Sequence, residues 1–278
     1  MPELPEVETI KNTVEKTIGK AKITGVTVHN RNLRQKIPND FEEKIKNTTI
    51  VSYERIAKYM VMNLNNQISL LWHFGMSGTL RICDKNPCLA KHDHVVIETN
   101  KGTLVYNDPR RFGLILPCTT KNLPQHFIFK HTGVDPFSEK LTPDYLFNIL
   151  QRKKCSIKQA LLEQDIVCGI GNIYASEILY DTKISPLRPA HKVTKKECSS
   201  LVISTQKILQ AAIVAGGSTL KDYKKPDGKL GYFQNSHCVY NKTGQKCPQC
   251  ICDIKKTGGI KKIIQNGRSS FYCERLQK

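Results

Sequence analysis

The sequence predicts an α+β protein, in which one helix and an antiparallel β-sandwich or barrel precede a mainly helical half. Three observations predict this class. Residues 7–18 carry apolar side chains at three- and four-residue spacing, as an amphipathic helix does. Short segments rich in Val, Ile and Thr then alternate with Asn and Gly turns. Helical patterns follow, and the last of them ends at Gly216-Gly217, a typical C-terminal cap.

The elements are expected in the following order. Strands are predicted at 22–28, 49–53, 59–64, 68–73, 94–99 and 103–106. Short strands joined by tight turns are typical of antiparallel sandwiches and barrels. A connector that contains Pro and Ser, at 134–138, separates this module from helices predicted at 145–150, 157–163, 173–180 and 195–215.

Charge narrows the class of partner. The 278 residues include 43 Lys and Arg against 24 Asp and Glu, a net charge of +19. Such an excess indicates a polyanion, most simply a nucleic acid, with an anionic membrane surface as the rival. No segment reaches the about 18 apolar residues of a spanning helix, and no signal-peptide pattern is present. The 11 cysteines, six of them scattered, are typical of reduced thiols in a cytosol. A soluble intracellular protein is therefore expected.

The start of the chain offers a nucleophile. Removal of Met1 would leave Pro2 as an N-terminal secondary amine, which can attack an electrophilic carbon. Its pKa would lie at about 7.7–8.0, and a nearby helix N-terminus would lower that pKa. Glu3 and Glu6 are candidate general acids or bases. The alternative is an ordinary capped helix with proline and acids in its first turn.

Two loops have the chemistry of nucleic-acid contacts. Residues 107–113 (NDPRRFG) place Arg110 beside Phe112, which predicts a wedge that enters a base stack. A turn stabilised by Asp108 is the structural alternative. Met76, between small residues at a strand end, is expected to be exposed. Residues 164–172 (QDIVCGIGN) predict a phosphate site or a simple helix–helix turn, with charge added by Lys153, Lys154 and Lys158.

Three further features leave alternatives open. Lys58 is either functional or a solvated charge, and His92 favours hydrogen bonding or phosphate contact over metal binding. Cys247 and Cys250 form a CxxC knuckle of the kind that often holds zinc. Cys273 begins a second pair, but Leu276 stands where its partner should be. Cys252, Cys238 or packing alone would have to replace the missing ligand.

Several stretches, in order along the chain, together resemble bacterial formamidopyrimidine-DNA glycosylases, which are also DNA-(apurinic or apyrimidinic site) lyases: PELPEVET, KHDH, DPRRFG, GIGNIYASE, GGSTLKDY and GRSSFYC. The resemblance covers essentially the whole chain. It implies an N-terminal helix and β-sandwich, a helix–two-turn–helix domain and a C-terminal zinc-ribbon-like β-hairpin. It also implies a base-excision-repair enzyme that removes oxidised purines from damaged double-stranded DNA and nicks the strand by β,δ-elimination.

The resemblance also implies roles for matching positions. Pro2 is similar to the Schiff-base nucleophile, Glu3 to the proton donor that helps open the sugar, and Lys58 to the donor for β-elimination. Arg268 matches an arginine linked to δ-elimination and phosphate holding. Positions similar to DNA contacts or void-filling side chains are His92, Arg110, Lys153, Asn172, Met76 and Phe112. Residues 217–232 resemble a loop that covers the everted base. The family's ribbon holds one Zn²⁺ on four cysteines, and Leu276 departs from that pattern.

The resulting expectation is a repair enzyme that acts as a monomer and has three parts: a catalytic β-sandwich at 1–133, a DNA-binding domain at 134–232 and a zinc-finger-like hairpin at 233–278. It would act in a bacterial-type cytoplasm on the nucleoid. Two rivals stay open. One is an endonuclease VIII-like glycosylase that prefers oxidised pyrimidines, and the other is a catalytically silent protein that binds damaged DNA.

Overall fold

A computed structural model of the protein describes residues 2–84, 87–219, 223–251 and 253–278. The chain divides into two compact units, Met1–Lys130 with Ile213–Gln234 and His131–Ala212 with Asn235–Lys278. Residues 213–232 thus group with the first unit, whereas the sequence placed them in a DNA-binding domain. The three-part division stays a prediction.

The first unit contains two helices, α1 (Leu4–Thr17) and α2 (Phe41–Ile45), and two antiparallel sheets. Its strands are β1 (Ile23–Val28), β2 (Ile50–Ile56), β3 (Tyr59–Leu64), β4 (Ile68–His73), β5 (Thr79–Cys83), β6 (Asp93–Thr99), β7 (Gly102–Asn107) and β8 (Leu114–Thr119). One four-stranded sheet has the order β1-β6-β7-β5 and the other the order β2-β3-β4-β8. A 3-10 helix, Thr120–Gln125, follows β8.

A single apolar core joins both sheets to α1. The predicted helical spacing buries Val7, Ile10 and Val14, and α1 packs against β2 and β3. At the centre, the rings of Trp72 and Tyr106 meet edge to face at 6.0 Å between centroids. This core fixes the ends of the strands from which the site residues project.

The second unit is built from helices and one hairpin. Its helices are α3 (Pro143–Leu150), α4 (Ile157–Leu162), α5 (Asn172–Asp181), α6 (Lys195–Val214, whose last two residues group with the first unit) and α7 (Ile254–Thr257). Strands β9 (Lys261–Gln265) and β10 (Arg268–Tyr272) pair antiparallel. Glu177 of α5 connects these parts, since its buried carboxylate accepts the backbone N–H groups of Cys238 (2.7 Å), Val239 (3.0 Å) and Tyr240 (2.7 Å).

The α+β prediction is confirmed, and β3 and β4 have the predicted bounds. Strands β5 and β8 were not predicted. Both lie at an edge of their sheet. Most side chains of β5 are only partly buried, as are those in the second half of β8, where a proline such as Pro117 is tolerated. Across the described residues, no helix has the length and apolar character needed to cross a membrane.

Candidate active site and nucleic-acid interface

Pro2 lies just before α1 and is buried, and Glu3 is the N-cap residue with only 2% of its surface exposed. The pattern of a capped helix is therefore present, and Pro2 lies beside the N-terminus of that helix. The role of Pro2 as an N-terminal amine stays a prediction. Met1 lies outside the described residues. The sequence signal for this arrangement is the Pro-Glu pair immediately before an amphipathic repeat.

The carboxylate of Glu6, 1% exposed, fastens the start of the chain to the segment after α6. Its Oε2 accepts the Glu3 N–H at 2.8 Å, and its Oε1 accepts the Ser218 N–H at 2.8 Å. Gly217 has φ +79°, and a Cβ there would lie 3.0 Å from Glu6, so this contact needs glycine. Tyr223 adds a hydrogen bond from its hydroxyl to the Glu6 carbonyl at 3.4 Å. Ser218 and Tyr223, in the segment that resembles the base-covering loop, are thus hydrogen-bonded to α1.

Lys58 lies in the two-residue turn between β2 and β3, where Ala57 has φ 53°. The side chain is buried, with 8% of the residue exposed, so the reading as a solvated surface charge is wrong. Arg55 supports the turn because its guanidinium donates to the Ala57 carbonyl at 3.1 Å and to Glu8 of α1 at 2.8 Å. The turn that carries Lys58 is therefore tied to the helix that follows Pro2.

His73 ends β4 opposite Tyr59, and their rings lie 4.7 Å apart. Burial, together with the positive charges of Arg34 and Lys58, lowers the pKa of His73 to about 4. The neutral ring accepts the Gly75 N–H on Nδ1 at 3.1 Å. This histidine, which the sequence did not single out, supports the turn that presents Met76.

We call residues 108–113 the wedge turn. Phe112 is 46% exposed and Met76 is 44% exposed, as predicted for Met76. The guanidinium of Arg110 lies 4.7 Å from the centroid of the Phe112 ring, a cation–π distance. These exposed side chains are available to contact a partner. His92 is partly buried and directly precedes β6. Its ring lies 6.4 Å from that of His94.

In the second unit, the predicted phosphate residues have protein partners. Asn172 is the first residue of α5, after Gly171 as N-cap, and its amide donates to the Ser269 carbonyl at 2.9 Å. Gly169 donates its N–H to the side chain of Gln164 at 2.9 Å. Lys153 pairs with Glu163, and this hydrogen bond raises the pKa of the lysine. The phosphate contacts stay predictions.

Lys158 has a larger structural role in the second unit than the sequence predicted. It is 1% exposed, and its ammonium donates to Asn172 Oδ1 (2.8 Å), the Ser269 carbonyl (2.9 Å) and Ser270 Oγ (2.8 Å). The only local signal is a lysine among buried apolar residues of α4. It holds the strand that begins with Arg268.

Arg268 projects from the end of the β9–β10 hairpin, which we call the hairpin tip (residues 265–268). Asn266 has φ 46° and Gly267 has φ 72°, the geometry that an Asn-Gly hairpin turn favours. Arg268 is exposed and lies in the second unit, whereas Pro2, Glu3 and Lys58 lie in the first.

The cysteines of the ribbon are brought together. The Sγ atoms of Cys247, Cys250 and Cys273 all lie within 4.8 Å of one another, so the group could hold a metal ion. Burial opposes ionisation of Cys247, but hydrogen bonds from the Tyr180 hydroxyl and from backbone N–H groups outweigh it and lower its pKa. Thiolates are the form that binds metal. These three donors fit three positions of a zinc site.

The fourth position is different. Leu276 packs with the apolar cluster around Cys247 and Cys273 and offers no donor. Cys238 also packs against this cluster but is not part of the three-thiol group formed by the described residues. Cys252 lies outside the described residues.

Comparison with known proteins adds the family. The model for the formamidopyrimidine-DNA glycosylase N-terminal domain matches residues 1–115, and that for the family's H2TH domain matches residues 132–224. A formamidopyrimidine-DNA glycosylase of Wolbachia sp. subsp. Brugia malayi is 43% identical over 278 residues, and one of Rhodospirillum rubrum is 40% identical over 285 residues. Both alignments cover 100% of either chain.

Solved structures of a formamidopyrimidine-DNA glycosylase with DNA are also similar to this chain. A Lactococcus lactis FPG mutant in complex with Fapy-dG containing DNA superimposes with a TM-score of 0.92 at 31% identity, over 100% of both chains. The complex of the L. lactis protein with abasic-site DNA has a TM-score of 0.91 at 32% identity, over 99% of both chains. A third complex, with an oxidized pyrimidine containing DNA, has a TM-score of 0.90 at 31% identity and covers 100% of both.

Proposed function

The chain belongs to the formamidopyrimidine-DNA glycosylase family and is a DNA glycosylase of base-excision repair, and we propose that it excises oxidised purines and then cuts the strand at the resulting abasic site. One observation carries the proposal. Pro2 and Glu3 are buried together at the start of α1, and Glu6 ties that start to the segment after α6.

The proposed reaction begins when the damaged nucleotide leaves the base stack, which costs a few kcal/mol. The lone pair of the Pro2 nitrogen attacks C1′, and the bond from C1′ to the base breaks with its electron pair going to the base. The N–H proton that Pro2 then loses neutralises the departing base. Glu3 gives a proton to the ring oxygen as the sugar opens, which leaves an iminium ion between Pro2 and C1′. Covalent capture divides one difficult step into two easier ones.

The iminium then withdraws electrons from the sugar. Loss of a C2′ proton expels the 3′ phosphate, and a second elimination expels the 5′ phosphate. We assign proton donation in the first elimination to Lys58 and support of the second, with phosphate holding, to Arg268. The exposed side chains of Met76, Arg110 and Phe112 fill the space left by the nucleotide, while His92, Lys153 and Asn172 contact the DNA backbone.

Borohydride trapping tests the nucleophile. On a duplex with 8-oxoguanine opposite cytosine, protein with a free Pro2 amine should give a covalent complex, and Pro2→Gly should abolish it. Exposed Lys196→Met, at a position of α6 with no assigned role, serves as a control that keeps trapping. A correctly processed protein that binds the duplex but never traps would support the silent-binder alternative instead.

The L. lactis complex with an oxidized pyrimidine containing DNA favours one second candidate, an endonuclease VIII-like preference for oxidised pyrimidines. Parallel excision rates on 8-oxoguanine and thymine glycol duplexes separate the two. Faster release of 8-oxoguanine is expected for the purine enzyme, and faster release of thymine glycol would replace it with the second candidate.

We further propose that Cys247, Cys250 and Cys273 hold one Zn²⁺, which fastens the ribbon and takes no part in the chemistry. Structural zinc contributes directly to folding energy. Metal analysis of purified protein should give about one zinc per chain, and clearly substoichiometric zinc would overturn the assignment.

The same proposal includes a monomer that acts in the cytoplasm on the nucleoid. The excess of positive charge, +19, suits backbone tracking of DNA. Light scattering of the DNA complex should give the mass of one chain per duplex, and a stable mass of two chains would contradict it.

A further inference from the structure

A buried carboxylate at the start of the wedge turn has no role in the reaction described above. Asp108 has 0% of its surface exposed. Its Oδ1 accepts the hydroxyl of Ser77 at 2.6 Å, and its Oδ2 accepts the Gly113 N–H at 2.8 Å and the Tyr106 hydroxyl at 3.2 Å. All these partners lie in the first unit.

The backbone of Asp108 is held as well. Its N–H donates to the His92 carbonyl at 3.1 Å, and its carbonyl accepts the Arg111 N–H at 3.2 Å. The same carbonyl lies 2.8 Å from Nε2 of His94, which is buried. Asp108 therefore joins the wedge turn to the loop of His92, to β6 and to the turn after β4.

Two of the three groups that donate to the Asp108 carboxylate belong to residues next to an exposed wedge residue. Ser77 follows Met76, and its hydroxyl oxygen also accepts the Arg110 N–H at 3.2 Å. Gly113 follows Phe112. The two turns touch directly, since a Cβ on Gly75 would lie 2.4 Å from the Phe112 carbonyl carbon. One carboxylate thus sets the relative positions of Met76, Arg110 and Phe112.

This network holds backbone that would not adopt its shape alone. Arg111 has φ 57°, a left-handed conformation that residues other than glycine rarely take. A Cβ on Gly113 would lie 1.9 Å from the Tyr106 hydroxyl, so the chain approaches Asp108 and Tyr106 as closely as glycine allows. A buried carboxylate is retained only when donors surround it, as they do here.

We propose that Asp108 is a positioning residue for nucleotide eversion: it holds Met76, Arg110 and Phe112 in one rigid arrangement that enters the base stack. The inference rests on the proposed function of these side chains as void fillers. A rigid wedge loses little conformational freedom when it enters DNA, whereas a loose one must be ordered at that moment. Asp108 therefore acts before the chemistry, and it touches neither the sugar nor Pro2 in the reaction.

Two substrates separate this role from a general structural one. On a duplex with 8-oxoguanine the base must be extruded, whereas a preformed abasic site has no base to unstack. Single-turnover rates of excision on the first and of strand cutting on the second are measured for wild-type protein and for Asp108→Asn. Asp108→Asn should lower the excision rate about 100-fold and the rate on the abasic duplex by less than about fivefold.

Ser77→Ala is the milder variant in case Asp108→Asn does not fold. It removes one hydroxyl that bridges Asp108 and the Arg110 N–H, and it should lower excision about tenfold with the abasic rate nearly unchanged. Asn63→Ala is the matched control, because Asn63 is equally a buried polar residue of the first unit with side-chain bonds to Ser52, Glu54 and Ser69. It should leave the ratio of the two rates as in the wild type.

Equal losses on the two duplexes, for Ser77→Ala or Asp108→Asn, would overturn the positioning role. So would a change of ratio in Asn63→Ala that matches theirs. Failure of the proposed function looks different, since wild-type protein itself would then cut neither duplex. Rapid-mixing fluorescence of 2-aminopurine beside the lesion gives a direct second readout: the unstacking signal should slow in Ser77→Ala to the same degree as excision.

Discussion

The wedge turn and the hairpin tip present cationic side chains in opposite ways. At the start of the wedge turn lies the buried carboxylate of Asp108, which is surrounded by N–H and O–H donors. Beneath the hairpin tip lies a cation, Lys158, which is surrounded by oxygen acceptors from Asn172, Ser269 and Ser270. In both regions a buried charge fixes an exposed arginine that the core itself does not reach. The rigidity of the wedge turn and of the hairpin tip therefore depends on one buried side chain in each, Asp108 and Lys158.

The largest effect should come from removing the cation. Lys158→Met leaves one buried and two partly buried acceptors without their ammonium donor, and we expect a loss of about 3 kcal/mol or more in the free energy of unfolding. Urea denaturation followed by circular dichroism measures it. Lys154→Met, which changes an exposed lysine nearby, should be almost neutral. If Lys158→Met loses no more stability than its control, the hairpin tip is held in place by the three-thiol group of Cys247, Cys250 and Cys273 instead.

An intermediate effect should come from completing the cysteine set. Leu276→Cys restores the second CxxC, so zinc should bind more tightly than to the three native thiols. Each tenfold gain in affinity adds about 1.4 kcal/mol of stability when zinc is in excess. Competition with a chromogenic chelator and thermal melting measure the two quantities. Leu276→Ala is the control for lost packing, and a Leu276→Cys protein with unchanged zinc affinity would place the fourth ligand elsewhere.

The smallest effect should be on stability at acid pH and should come from His73, at the end of β4. His73 has a folded pKa of about 4 against an ordinary 6.5, because it is buried. The unfolded chain therefore takes up the proton first, so stability is complete above 6.5 and is lost as the pH falls toward about 4. At about pH 5.5 the loss should be about 1 kcal/mol, and His73→Asn should remove it. Urea titrations at several pH values test this, with exposed His191→Asn as control. An unchanged pH dependence in His73→Asn would assign the effect to another group.

Local patterns predict the central strands well. The bounds of β3 and β4 match because these strands are buried along most of their length and are separated by an Asn turn. The edge strands β5 and β8 were missed because partial burial weakens the pattern that identifies a strand. Fold class, in contrast, depends mainly on the order of elements, and that order was predictable.

Site residues that stand in sequence motifs could be predicted. Residues whose roles depend on partners far away in the sequence could not. Pro2, Lys58 and Arg268 stand in recognisable motifs, and their roles remain predictions. The roles of Asp108 and Lys158 depend on partners far away in sequence, such as Ser77 and Ser270. A single aspartate in a turn or lysine in a helix gives no local sign of such partners, since burial is a property of the folded chain.

The Glu6 carboxylate has a consequence for anyone who would transplant this chemistry. It clasps the first turn of the protein and Ser218, a residue 212 positions later, with one oxygen each. The opening peptide is therefore not a portable module. A scaffold that borrows it would also need a Gly-Ser segment that donates a backbone N–H to the Glu6 carboxylate. Without that contact the first residues would not be held in a fixed position.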